Sequence, residues 1–195
     1  MKNINVSRNN FMLHLFSLFL SIKGRLNFLQ LERFRKFDEQ SYRNNFEKEF
    51  EFLEFNKNLI KEHCSPNLAI AFDPSFISKS GKKTPGTGYF WSGCAGRTKW
   101  GLEISGLAAI DCENHTALHL EAVQTVGLKE NETLVHYYLK IILERKNGLQ
   151  ELSKCILVDA YFSKTTFVNP LVNEGFTIIS RLRDDADLRY NFEGE

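Results

Sequence analysis

Two continuously apolar runs, 68–72 and 156–158, each end on an acid, Asp73 and Asp159. Unbroken rather than alternating apolar character predicts central strands covered on both faces, with each aspartate at the edge of a buried sheet. Between them, 100–110 and 115–126 read as two long strands joined through Asp111-Cys112-Glu113-Asn114. That turn accounts for Asp111 as a hairpin cap at the sheet end away from Asp73 and Asp159, and it stays outside the candidate site. Leu134, Tyr138, Ile141 and Ile142 recur at helical spacing, opened by Asn131 and Glu132 and closed by Arg145, Lys146 and Gly148. After Asp159 the pattern predicts a helix over 163–174, with Pro170 as a kink and Gly175 as its stop, and then a buried strand over 176–180.

Upstream, residues 11–63 read as helical, with Tyr42, Phe46, Phe50, Leu53 and Ile60 on one face and Ser41 as an N-cap. An earlier helix ends near 34–36, and the turn through 37–40 is compatible with a helical hairpin or a helix-turn-helix carrying Arg43 and Asn44. The acidic second helix favours the hairpin. Ser65-Pro66-Asn67 separates this region, 1–63, from the rest. The apolar stretch 11–22 contains His14 and Ser17 and is shorter than the roughly 20 residues that span a bilayer. Lys23-Gly24-Arg25 follows it in place of a signal-peptide cleavage site, so neither a membrane segment nor a leader is expected.

A chain of 195 residues holds one substantial core with a helical attachment, and 25 Lys and Arg against 24 Asp and Glu leave the total charge uninformative. The distribution is not even: from 74 to 102 the chain carries Lys79, Lys82, Lys83, Arg97 and Lys99 and no acid. Such a stretch suits a polyanionic partner or a solvated loop. The segment 78–88 is rich in Gly, Ser and Lys but lacks P-loop spacing. Tyr89, Phe90 and Trp91 could stack on bases, although 17 phenylalanines make a core role the stronger expectation. Cys64, Cys94, Cys112 and Cys155 form no CxxC pair, which points to reduced thiols in a cytoplasmic protein. Cys112, His115 and His119 lack the second pair that a zinc finger needs.

Two carboxylates on neighbouring strands repel one another, and a divalent cation between them relieves the repulsion. The plainer reading is that each aspartate begins a turn or caps a helix. The element order, strand with Asp73, hairpin strands, helix, strand with Asp159, helix, strand, resembles the ribonuclease H-like fold, in which the first and fourth strands adjoin. The fold expected is therefore α/β, an incomplete ribonuclease H-like mixed sheet over 66–190 after the helical region.

The segments Phe72-Asp73-Pro74-Ser75-Phe76-Ile77, Val158-Asp159-Ala160-Tyr161-Phe162-Ser163-Lys164 and Ile179-Ser180-Arg181-Leu182-Arg183 resemble bacterial insertion-sequence transposases of the DDE type, in the retroviral integrase superfamily. The resemblance implies Asp73 and Asp159 as the first two catalytic acids, together holding two Mg2+ ions. It further implies DNA, at insertion-sequence ends and target, as the partner, with room for a homo-oligomer, in the bacterial cytoplasm beside the nucleoid. Lys79, Lys82, Lys83, Arg181 and Arg183 are the candidate phosphate contacts, and 1–63 is a candidate DNA-end-binding region. The family also uses a glutamate on a later helix. Glu174, Glu193 and Glu195 do not fit that place, so the chain reads as an amino-terminal piece of a transposase that is nearly inactive by itself. The alternative is a non-catalytic DNA-binding or oligomerising remnant that interferes with a full-length transposase. A phosphohydrolase with a nucleophilic Asp is a third reading, disfavoured because Asp73-Pro74-Ser75 lacks a second acid two residues on.

Overall fold

The computed structural model describes residues 5–24, 26–34, 36–81, 83–126, 128 and 132–186. The chain divides into two units, Met1–Glu51 and Phe52–Glu195. In the first, α1 (Val6–Ser21), α2 (Phe28–Glu32) and α3 (Glu39–Phe46) are each opened by a short polar cap. Asn5, Asn27 and Asp38 accept from the backbone N–H of Arg8, Gln30 and Ser41 respectively. Ser41, expected as a cap, is thus the capped residue, because Asp38 three positions earlier offers a charged acceptor to the helix start. Phe11, Leu15, Leu18, Leu31 and Tyr42 form this unit's core, and the Tyr42 hydroxyl lies 2.8 Å from His14 Nε2. Arg43 is bound to Glu39 and lies 4.8 Å from the Phe28 ring centroid, so it is used within the unit.

The helical stretch drawn from sequence as 1–63 divides between the two units. Its last helix, α4 (Phe52–His63), belongs to the second unit because its apolar and charged partners lie there. Ile60 joins the core of that unit, and buried Lys57 pairs with Glu54 at 2.7 Å and Glu151 at 3.0 Å.

The second unit continues with β1 (Leu68–Ser78), β2 (Gly88–Ser92), β3 (Arg97–Asp111), β4 (Thr116–Gln124), α5 (Leu134–Glu144), α6 (Lys146–Gln150), β5 (Cys155–Val158), α7 (Thr165–Asn173) and β6 (Thr177–Ser180). The strands form a six-stranded sheet in the order β2-β3-β1-β5-β6, with β4 on the same edge of β3 as β2. β1 runs antiparallel to β3 and parallel to β5, which is parallel to β6. This is a mixed α/β unit in a ribonuclease H-like arrangement. α5 is capped by Thr133, whose hydroxyl accepts from the His136 N–H, while Asn131, the expected opening, lies outside the described residues. The helix expected over 163–174 forms over Thr165–Asn173 with Pro170 inside it, and Gly175 ends it at φ 84°.

The sheet's two faces are unlike, where the sequence predicted both covered. Ile70, Phe72, Leu107, Leu120 and Ile156 belong to the core shared with α4, α5 and α7. Ala71, Ile104, Ile110, Leu157 and Ile179 alternate with these and are not members of that core. Small apolar side chains on both parities of a strand imitate two-sided burial, which is why the run 68–72 misleads. β1 also does not stop at Asp73; it runs on to Ser78, paired with β3 down to Gly101. Pro74 is tolerated there because the β5 ladder has already ended, leaving that side of β1 as an edge.

Asp111 is buried at the far end of the β3–β4 hairpin. Its carboxylate accepts from the Ser65 hydroxyl and N–H, the Asn114 side chain and the Glu113 and Asn114 backbone N–H groups. The Ser65 and Asn114 donors hold its pKa far below the ordinary aspartate range. It clamps the α4–β1 connection to the hairpin and takes no part in the site below.

Candidate functional site

Parallel pairing fixes Ile70 opposite Ile156 and Ala71 opposite Leu157. Continued at the same register, Asp73 falls opposite Asp159, and strands so paired are about 4.8 Å apart. Register partners in a parallel pair face the same side, so both carboxylates rise from the sheet face that the helical core does not occupy. Val158 pairs with Ser180, which brings Arg181 to the same level on the next strand. Both aspartates are exposed, in contrast to the buried sheet edge expected from sequence.

Asp73 follows a buried phenylalanine, and Asp159 opens the turn that ends on another. Phe72 and Phe162 are both 1% exposed, and their ring centroids lie 5.6 Å apart. Tyr138 stands 5.9 Å from Phe72 and 5.6 Å from Phe162, and Phe167 is 4.7 Å from Phe162. This aromatic cluster anchors the 3₁₀ turn Ala160–Phe162 against β1 and α5, and so holds the start of that turn, Asp159, beside the strand bearing Asp73.

Asp159 also caps the turn: its Oδ1 accepts from the Tyr161 N–H at 3.0 Å. Ser180 Oγ donates to the Asp159 carbonyl oxygen at 2.8 Å, tying β6 to the same residue. Asp73 Oδ2 accepts from Ser75 Oγ at 3.3 Å. The turn-cap reading of Asp159 is therefore observed, and it uses one carboxylate oxygen while leaving Oδ2 for another partner.

Desolvation by its surroundings pushes the Asp159 carboxyl above the ordinary aspartate value, the Tyr161 N–H opposes this, and the charge of Asp73 pushes it further up. The folded chain holds this proton to higher pH than the unfolded chain, so stability falls as pH rises through the window just above the usual aspartate pKa. Asp159→Asn keeps an oxygen acceptor for Tyr161 and removes the charge. It is expected to melt at a higher temperature than the wild type at pH 7, with the gap closing toward pH 4; thermal denaturation at a series of pH values checks this.

Several neighbours of Asp159 escape a search for acids and free cations. Tyr161 is partly exposed and carries Lys164 Nζ 3.9 Å from its ring centroid. Lys164 also lines an open cleft of about 260 Å³ with Thr165, Ser180 and Leu182. Of the phosphate contacts expected from sequence, Arg181 is level with Asp159 by register and Arg183 lies near Tyr161; both pair locally, with Asp184 at 3.1 Å and Asp185 at 2.6 Å. Such exposed pairs contribute little to stability. Lys79 and Lys83 are exposed but lie past the end of β1, six or more residues from Asp73, and not beside the carboxylate pair. Lys82 lies outside the described residues, as do Glu193 and Glu195.

Glu103 is a buried carboxylate that sequence reading passed over. It accepts from Tyr138 OH at 2.6 Å and Thr125 Oγ1 at 2.8 Å, on the core face of β3 and thus on the opposite side of the sheet from Asp73. Among the described residues no group of three or more His, Cys, Asp or Glu is placed to hold a metal ion. Two hard oxygen donors fit a divalent cation that completes its shell with water and substrate oxygens, in the manner of Mg2+.

No family model matches the sequence. A stretch of 98 residues, 48% of this chain, is 29% identical to the (R)-S-adenosyl-L-methionine hydrolase of Methanocaldococcus jannaschii. The match covers 37% of that protein, so the chain spans little more than a third of this curated relative. Among solved structures, endonuclease V of Ciona intestinalis bound to a 23mer DNA containing inosine aligns with a TM-score of 0.33 and 12% identity, over 74% of this chain and 57% of that one. A pre-cleavage Mos1 transpososome aligns with a TM-score of 0.27 and 12% identity, over 83% and 56% of the two chains. No helix among the described residues is long and apolar enough to cross a membrane.

Proposed function

We propose that this chain carries the two-aspartate portion of a metal-dependent site that processes DNA phosphodiesters, of the kind used in transposition. The observation that supports it most is the common register of Asp73 and Asp159 on adjoining parallel strands. The resemblance of the segments around both residues to DDE transposases supplies the reaction class, cleavage and strand transfer at insertion-sequence ends.

Asp73 and Asp159 would hold Mg2+, which activates the attacking oxygen and stabilises the departing one in phosphoryl transfer. The chain's own part is preorganisation. The Phe72–Phe162 contact sets the separation of the carboxylates, and Ser180 and the Tyr161 N–H set the orientation of Asp159. Arg181, level with Asp159, and Lys164 and Arg183, near Tyr161, would supply positive charge for the scissile strand.

Metal binding is testable without turnover. Tb3+ bound at the pair would be excited through Tyr161, two residues from Asp159. The wild type is expected to show sensitised Tb3+ emission that Mg2+ or Mn2+ competes away, with at least about 100-fold weaker binding in Asp73→Asn and Asp159→Asn, beyond the 10- to 100-fold typical of outer-shell partners. Unchanged emission in both variants would refute the site. The similarity to an S-adenosyl-L-methionine hydrolase gives a separate control: S-adenosyl-L-methionine incubated with the protein is expected to remain intact.

A further inference from the structure

Of the three aromatic residues expected in the core, Phe90 is partly buried, while Tyr89 and Trp91 are on the surface and are joined there by Trp100. Tyr89 is 74% exposed, Trp91 61% and Trp100 38%. Antiparallel pairing puts Tyr89 opposite Trp100 and Trp91 opposite Thr98, so all three rings share one face of the β2–β3 ribbon, where Tyr89 and Trp100 stand 5.4 Å apart. The register of β3 with β1 is unbroken from Gly101 to Asp111 and sets Asp73 opposite Gly106 and Ile77 opposite Leu102. Trp100, Leu102, Ile104 and Gly106 therefore alternate onto the same face, and the aromatic row lies on the side of the sheet from which the Asp73 carboxylate rises. Six residues of strand separate Gly106 from Trp100, about 20 Å.

The surroundings are cationic. Residues 74–102 contain no acid, and Lys79 and Lys83 are exposed on the loop beside the rings. Trp100 Nε1 donates to the Gly81 carbonyl oxygen at 3.4 Å, which holds the lysine-bearing loop against the aromatic row. Exposed rings bordered by unopposed positive charge match a strand of nucleic acid with accessible bases. The rings stack on bases of any sequence while the lysines meet phosphates.

From this placement we infer that the β2–β3 ribbon is a binding track for single-stranded DNA, which leads an unpaired strand to or from the carboxylate pair. The inference rests on the DNA reading above for the identity of the polyanion, and it adds the strandedness of the substrate and a second contact region.

The chain's two tryptophans, Trp91 and Trp100, are both on this track, so tryptophan emission reports on it alone. Titration of the full chain with a fluorescein-free oligothymidylate of 20 nucleotides is expected to quench that emission. The same strand carrying a fluorophore is expected to bind with about 10-fold lower affinity for each ring lost in Tyr89→Ala and Trp91→Ala, and with near wild-type affinity in Trp91→Phe. Both alanine variants remove exposed side chains, and circular dichroism checks their fold. Equal binding by wild type and alanine variants overturns the inference, as does a preference for duplex over single strand. Ring-dependent binding to vesicles containing phosphatidylglycerol without binding to the oligonucleotide also overturns it, assigning the ribbon to a membrane surface. Asp73→Asn, carried in parallel, separates the two readings. Ring-dependent oligonucleotide binding with no metal binding sinks only the carboxylate site, whereas metal binding with ring-independent oligonucleotide binding sinks only the track.

Discussion

Phe162→Ala is expected to cost about 3–5 kcal/mol, the usual penalty for deleting a buried phenylalanine ring. That is a large part of the about 5–15 kcal/mol that typically separates a folded domain from its unfolded chain. Phe162 is 1% exposed and touches Phe72, Tyr138 and Phe167, which come from β1, α5 and α7. Three elements thus meet on one ring, and a cavity there cannot be closed by the movement of any one of them. Urea denaturation measures the loss as a lowered midpoint with an unchanged slope. Phe162→Leu keeps most of the apolar volume and is expected to recover more than half of the loss. A loss below about 1 kcal/mol in the alanine variant would mean that the turn carrying Asp159 is held by its hydrogen bonds, and not by the aromatic cluster.

The order of elements was legible because the chemistry at their ends is local. Gly175 at positive φ ends α7, Asp111 caps its hairpin, and the apolar spacing of Leu134, Tyr138, Ile141 and Ile142 puts α5 on the sheet. Strand ends were less legible. Asp73 looks like a terminus because the apolar run stops there, but β1 needs only a partner to continue, and β3 supplies one down to Gly101. Gly101 helps: a side chain at that position would collide with the Ile77 carbonyl oxygen and the Phe76 ring.

No local signal in the sequence marks β2. Its five residues carry no alternation that separates strand from loop, and its existence depends on pairing with Arg97–Gly101 of β3. The same gap hid the exposure of Tyr89 and Trp91, since which side of a strand faces solvent is decided by register and not by residue type. At the candidate site, sequence order brings Asp73 and Asp159 to neighbouring strands, while the Phe72–Phe162 contact that holds them joins residues 90 positions apart in the chain and has no local signature.

Neutralising either aspartate is expected to reduce metal-dependent nicking of a transposon-end duplex by at least about 100-fold, to background. Each carboxylate contributes an oxygen donor and half of the negative charge that concentrates divalent cation at the site. Removal of one leaves a single carboxylate with half the charge and one fewer donor for the cation. Wild-type nicking in single turnover is itself expected to be slow, because the described residues bring no third ligand to the pair and transition-state charge is left partly unbalanced. The decisive comparison is therefore wild type against Asp73→Asn and Asp159→Asn under Mg2+ and Mn2+, with binding of the same duplex measured in parallel. Loss of nicking with DNA binding retained places the chemistry at the pair. DNA binding with no metal-dependent nicking even in the wild type favours the non-catalytic alternative, in which the chain occupies DNA without cutting it. Nicking that persists in both variants would put the reaction elsewhere, and the common register of the two aspartates would then be explained by the Asp159 turn cap and the solvent exposure of Asp73.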